Sequence, residues 1–93
     1  MGQPTLRDLR EQSGLTIQEV LDGLQAAAQE EAPQHRSGVI HLENRGTANY
    51  AMICAFAQVY GISIEAAAAA AQESRRIYRE KVSKMADSCL TSV

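Results

Sequence analysis

Apolar positions along this chain recur at intervals of three and four, the period at which one face of a helix meets a core. Leu6 and Leu9 open the pattern. Val20, Leu21 and Leu24 follow, then Val39 and Leu42, then Ile53, Phe56, Ala57 and Tyr60. Each group is bounded by residues that start or stop helices. Thr5 with Asp8, and Thr16 with Glu19, have the spacing in which a hydroxyl and a carboxylate reciprocally cap the first turn. Gly14 is suited to the left-handed geometry that ends the first helix. After Leu24 the run "QAAAQEEA" consists of good helix formers, so the second helix is expected to continue to about Glu31, before Pro33. Gly23 weakens it by roughly 1 kcal/mol relative to Ala. A third helix is expected from about Arg36 to Asn44, ended by Gly46, and a fourth from Tyr50 to Tyr60, ended by Gly61. Ser63 caps a fifth, with neither Gly nor Pro between Ile64 and Val93. No stretch alternates with period two, so the pattern predicts an all-α domain of five helices.

The last of these helices is expected to run some 25 residues, about 37 Å at 1.5 Å per residue. Ile64, Ala68, Ala71, Arg75, Tyr78, Val82, Met85 and Cys89 step alternately by four and three, a heptad stripe interrupted by Arg75. A core of about 62 residues has a radius of gyration near 11 Å, so a helix of that length outreaches it. Its stripe either meets a partner or folds back on its own domain. This divides the chain into a compact unit, residues 1–66, and a helical extension, residues 67–93, expected to serve dimerisation.

Composition adds a constraint on partners. The 93 residues carry a formal net charge of −2. Residues 1–62 hold four basic against seven acidic side chains, and residues 63–93 hold five against four. A protein attracted to phosphate backbones by Coulomb forces alone usually has a clear positive excess. No apolar segment has the length of a membrane span, "MGQPTLRDLR" has no secretory pattern, and Leu6 stands where a myristoylation signal has Ser or Thr. The expected location is cytoplasmic, with no membrane partner. Cys54 reads as a small core residue and Cys89 as an exposed one, and a disulfide between them is not expected. Two Cys and two scattered His give no metal-ligand spacing, so neither metal nor cofactor is expected. His35 and His41 have no Ser, Cys or Asp partner at a useful spacing, which argues against an enzyme.

The stretch "HRSGVIHLENRG" holds the candidate chemistry. With Val39 and Leu42 turned inward, Arg36, Ser37, Ile40, His41, Asn44 and Arg45 remain outside. Arg and Asn match the edges of guanine and adenine, and Ser37 and Gly38 are small enough for close approach to a duplex. The same residues also suit the solvated face of an ordinary helix. Thr16, Gln18, Asn49 and Tyr50 stand at helix starts, where backbone N–H groups attract phosphate, although capping alone accounts for Thr16.

Three segments in order resemble one family. "LRDLREQSGLT" is similar to the first helix and turn of the Cro/CI-type helix-turn-helix proteins, the lambda-repressor-like or Xre-like domains. "SGVIHLEN" resembles their recognition helix, and "FAQVYGIS" their fourth helix with the start of the fifth. The likeness covers about residues 5–66. It implies a five-helix lambda-repressor-like bundle with an extended second helix and a long C-terminal helix. The third helix would lie in the major groove, with Arg36, Ser37, Gly38, Ile40, His41, Asn44 and Arg45 on DNA and Thr16, Gln18, Asn49 and Tyr50 near phosphates. It also implies an ion pair between Arg10 and Glu43. The chain departs from the family pattern in three ways. Leu24 and Arg36 are twelve steps apart, eight more than usual. Gln25 and Leu21 replace a turn Gly and a small residue, and Ile17 stands where a phosphate-contacting Gln is common. The inserted residues include Glu30 and Glu31, carboxylates that repel a nearby duplex. The resemblance implies a sequence-specific transcriptional regulator on double-stranded DNA, a repressor of bacterial or phage type, and together with the heptad stripe it implies a homodimer joined through Ala71, Tyr78, Val82 and Met85. The alternative is a helical protein-interaction module (adaptor, antitoxin-like or anti-repressor) that keeps the fold without strong DNA binding.

Overall fold

The computed structural model describes the backbone of residues 3–91 and the side chains of residues 3–85. It contains α1 (Leu6–Ser13), α2 (Ile17–Ala28), α3 (Arg36–Arg45), α4 (Tyr50–Tyr60) and α5 (Ile64–Thr91), with a 3-10 turn at Gln29–Glu31. Among the described residues there is no strand, so the domain is all-α. Both capping boxes form. The Thr5 hydroxyl accepts from the Asp8 N–H at 3.1 Å, and the Thr5 N–H donates to Asp8 at 3.0 Å. Thr16 and Glu19 make the same reciprocal pair. Gly14, at φ +72°, ends α1 in the left-handed region that glycine occupies without strain.

The second helix stops earlier than its composition suggests. The α-helical part ends at Ala28, and Gln29 has φ +51°. The reason lies in packing. Beyond Leu24 this helix has no large apolar side chain, and Gln25, Ala26, Ala27, Gln29, Glu30 and Glu31 are all exposed. Propensity alone holds a projecting helix weakly, because most helical stability comes from a buried face. The chain instead turns so that Ala32 is buried, and Pro33 follows it against α3. The Gln25 side chain donates to the Pro33 carbonyl at 3.2 Å and steadies the turn.

Phe56, Leu6, Leu24, Val20 and Val39 form the centre of the core, with α4 contributing Met52, Ile53, Ala55, Ala57 and Tyr60 around Phe56. Gly23 explains its own cost to helix propensity. A Cβ there would stand 2.7 Å from a methyl of Val59, so α2 and α4 approach each other across a missing side chain.

The core does not end at residue 66. Ala67, Ala70 and Ala71 are fully buried and Ser74 nearly so, which places the first half of α5 inside the same domain. The expected boundary between residues 66 and 67 is therefore replaced by a core that continues to Ser74. Ala71, expected at a dimer contact, is fully buried in the chain's own core. Gly46, at φ +73°, sits so close to α5 that a Cβ would fall 2.4 Å from the Ala71 carbonyl oxygen. Alanine on one side and glycine on the other let the end of α3 rest directly on α5. Past Tyr78, Glu80 to Met85 are all exposed. A 28-residue helix is about 42 Å long at 1.5 Å per residue, in keeping with a molecule of 47 × 30 × 23 Å. Among the described residues no single helix is long and apolar enough to cross a membrane.

Candidate nucleic-acid interface

The third helix is fixed from its inner side. Val39 is fully buried, Leu42 is half-buried against the core, and the Glu43 side chain is 3% exposed. Glu43 receives the Arg10 Nε–H at 2.7 Å, and Arg10 also donates to the Leu15 carbonyl at 3.3 Å. One guanidinium thus ties α1, the turn after it and α3 together. Burial pushes the Glu43 carboxyl above the ordinary carboxylate range, and the Arg10 hydrogen bond and charge act against that shift. Nearby, the Tyr60 hydroxyl is buried with no protein hydrogen-bond partner, and its phenol is pushed up first by burial and then by the Glu43 charge.

With Val39 and Glu43 inward, Arg36, Ser37, Ile40 and His41 are exposed. At about 100° per residue the last three span one continuous sector, with Arg36 at its edge. Gly38 is not part of this sector. Its absent Cβ points at Pro33, 2.5 Å from that residue's Cβ, so Gly38 admits the preceding turn. At the other end of α3 the outward residues turn towards α5. The Arg45 guanidinium lies 5.4 Å from the centre of the Tyr78 ring, a cation–π distance. Asn44 is exposed and borders a groove shared with Thr5, Arg7, Tyr78 and Lys81. The sector of Ser37, Ile40 and His41, with Arg36 at its edge, lies in the first six residues of α3, while the exposed Asn44 and Arg45 border α5.

The flanking helix starts are occupied by caps. Thr16 serves Glu19, and the Gln18 side chain donates to Asp22 at 3.0 Å. Asn49 accepts from the N–H groups of Ala51 and Met52, and Tyr50 beside it is 69% exposed. One acidic group stands close to the sector. Glu31 lines the same shallow groove, about 290 Å³, as Pro33, Leu42, Met52, His41 and Arg45.

Among the described residues, no group of three or more His, Cys, Asp or Glu side chains is gathered as metal ligands would be. Cys54 is half-buried with its thiol free, whereas the side chain of Cys89, with its expected exposure and its place in the heptad stripe, lies outside the described residues. Tyr78 is half-buried, and Val82 and Met85 are 44% and 66% exposed. Comparisons with protein-family models, with curated proteins and with solved structures return no match.

Sequence reasoning gave no role to Ser74. Its hydroxyl, almost completely buried, accepts the Leu6 N–H at 3.2 Å and so caps α1 from α5. The signal was present: Ala67, Ala70, Ala71 and Ser74 share the spacing i, i+3, i+4, i+7, and a lone hydroxyl on such a stripe must find a partner inside. The Arg45–Tyr78 contact had no comparable signature, because it joins two helices at a crossing that the sequence does not set.

Proposed function

We propose that this chain is a sequence-specific DNA-binding regulator of the Cro/CI-type helix-turn-helix kind, a repressor of bacterial or phage type. It would act on cytoplasmic duplex as a homodimer, with α3 in the major groove. The observation that carries the reading is the sign of the exposed charge around α3. Between Ala32 and Ile64 the sequence has one carboxylate, Glu43, and that group is turned into the core against Arg10. The formal charges left outside on this segment are the cations Arg36 and Arg45. The acidic excess of the first 62 residues lies instead on α1, α2 and the 3-10 turn, at Asp8, Glu11, Glu19, Asp22, Glu30 and Glu31. A net negative chain whose segment from Ala32 to Ile64 exposes cations and no carboxylate, with Glu31 at its edge, suits a partner that is itself a polyanion. The N-terminal residues of a recognition helix are those that reach base edges, and Arg36 and Ser37 occupy that end, with Ile40 and His41 one turn further on. Two-fold pairing of protomers through the outer half of α5 would set two such helices on successive turns of a duplex.

Selection of binding sites from random duplexes, followed by salt titration, tests this. Enrichment of a defined site, with affinity that falls steeply as salt rises, is expected. Arg36→Ala should lower affinity for the selected site by about 1–3 kcal/mol without changing the fold. No enriched site and no binding to any duplex at low salt would overturn the reading.

Two observations favour a second reading. Glu31 shares a groove with His41 and Arg45, and Val82 and Met85 offer apolar surface at the far end of α5. A protein-interaction module would use these two regions and leave α3 in solvent. The same selection experiment separates the two.

A further inference from the structure

We propose that Ile40 reads the 5-methyl group of a thymine, so that each half-site requires T at the base step beneath it. The inference rests on the DNA reading above and assigns a base to one residue of that face. Ile40 is 45% exposed although the neighbouring Val39 is fully buried. Around it on α3 are Ser37, His41 and Arg36, polar side chains that are themselves exposed. Among the described residues the other large exposed apolar side chains stand on other helices: Tyr50 begins α4, Ile64 begins α5, and Val82 and Met85 lie in the outer half of α5. On α3, Ile40 is therefore a single exposed apolar side chain among polar neighbours. A protein partner of ordinary kind covers about 800 Å² around an apolar centre, which one isoleucine framed by Arg, Ser and His does not supply.

The floor of the major groove offers the complementary feature. Base edges there present donors and acceptors at every step, and the one apolar group among them is the thymine methyl. Side chains of the Ser, His and Arg type satisfy the polar edges, while an aliphatic side chain in their midst would leave them unpaired. Cytosine at this position would put an amino group against Ile40 with no acceptor. Thymine puts a methyl there, and contact removes both apolar surfaces from water.

The test uses the full chain and the site obtained by selection, with each thymine replaced in turn by deoxyuridine, which differs by the methyl alone. At one position per half-site the replacement should weaken binding about fourfold, the effect of one methyl group withdrawn from water. Ile40→Ala, checked for unchanged helix content and melting temperature, should bind the thymine and uracil duplexes alike. Tolerance of deoxyuridine at every position would overturn the assignment and leave DNA reading standing. So would an Ile40→Ala protein that still discriminates thymine from uracil, or one that binds the selected site as tightly as the unsubstituted protein. Failure to enrich or bind any duplex would instead remove the underlying DNA reading, and this proposal with it.

Discussion

The backbone N–H of Leu6 donates to the hydroxyl of Ser74, 3.2 Å away and 68 positions later in the chain. The first N–H groups of a helix have no partner within it, and at α1 one of them is buried. Ser74 supplies the acceptor from α5. This single bond joins the first helix to the last and explains a polar residue in an alanine-lined contact. Ser74→Ala should cost about 1–3 kcal/mol in urea unfolding, the penalty for leaving a buried donor unsatisfied. A loss within about 0.5 kcal/mol, the range of ordinary surface substitutions, would mean that water replaces the hydroxyl without penalty.

Arg10 and Glu43 form the other long-range polar tie. Removing one partner of a buried ion pair strands the other, so Arg10→Ala and Glu43→Ala should each cost about 3–5 kcal/mol. The combined change Arg10→Met with Glu43→Leu should cost much less, because neither charge is then left in the core. The damage done by Arg10→Ala should also shrink in acid, where a protonated Glu43 carries no charge to strand. Equal losses for the single and combined variants would show that packing, not charge, holds this junction.

The pH dependence of these carboxylates has opposite signs. Burial raises the Glu43 carboxyl above its unfolded value of 4.5, so the folded protein holds this proton more tightly than the unfolded chain. Its contribution to stability is fully present below 4.5 and is lost as pH rises through the folded value. Glu73 behaves in the reverse way. Its ion pair with Arg76 lowers the carboxyl, so its contribution is present above the unfolded value and lost as pH falls. The stability difference between the unsubstituted protein and Glu43→Gln should therefore decline with rising pH, while that for Glu73→Gln should grow. Urea titrations at a series of pH values read both slopes, and parallel slopes would contradict this account.

The local elements were largely legible because their signals are local. Thr5 with Asp8, Thr16 with Glu19, and the glycines at 14 and 61 specify caps within one turn of chain, and helices begin and end there. What the sequence conceals is which face wins when two are available. On α5 the heptad stripe through Ala71 and Tyr78 competes with the stripe Ala67, Ala70, Ala71, Ser74, and the second is buried because Gly46 allows α3 to rest on it. Gly38 was legible as a small residue but not as one that admits Pro33, since that contact depends on where the turn after α2 runs. The turn itself was hidden by composition: Ala28 to Glu31 favour helix, and the chain leaves the helix to bury Ala32.

Glu31 tests the electrostatic side of the functional reading. Its carboxylate shares a groove with His41 and Arg45, beside the sector assigned to DNA. Glu31→Gln removes one negative charge from that edge without shortening the side chain. Affinity for the selected duplex should rise about two- to fivefold at low salt, and the gain should fade near physiological ionic strength as the Debye length contracts to about 8 Å. An unchanged affinity at low salt would place Glu31 away from the duplex.

Met85 tests the assembly. Val82 and Met85 are three positions apart on the same side of α5, beyond the buried Ser74, and both are exposed. If a second copy covers them, a carboxylate at Met85 would meet its own symmetry mate, since an isologous contact brings the same residue to both sides of the axis. Met85→Glu should then reduce the hydrodynamic size to that of a monomer while helix content stays unchanged. Binding to a single half-site should be preserved, because α3 is untouched. Binding to the complete site should fall by one to two orders of magnitude, roughly the loss expected when two linked contacts become independent. An unaltered size for Met85→Glu would sever the link between α5 and self-association. An altered size with full-site binding retained would show that dimerisation and DNA reading are independent properties of this chain.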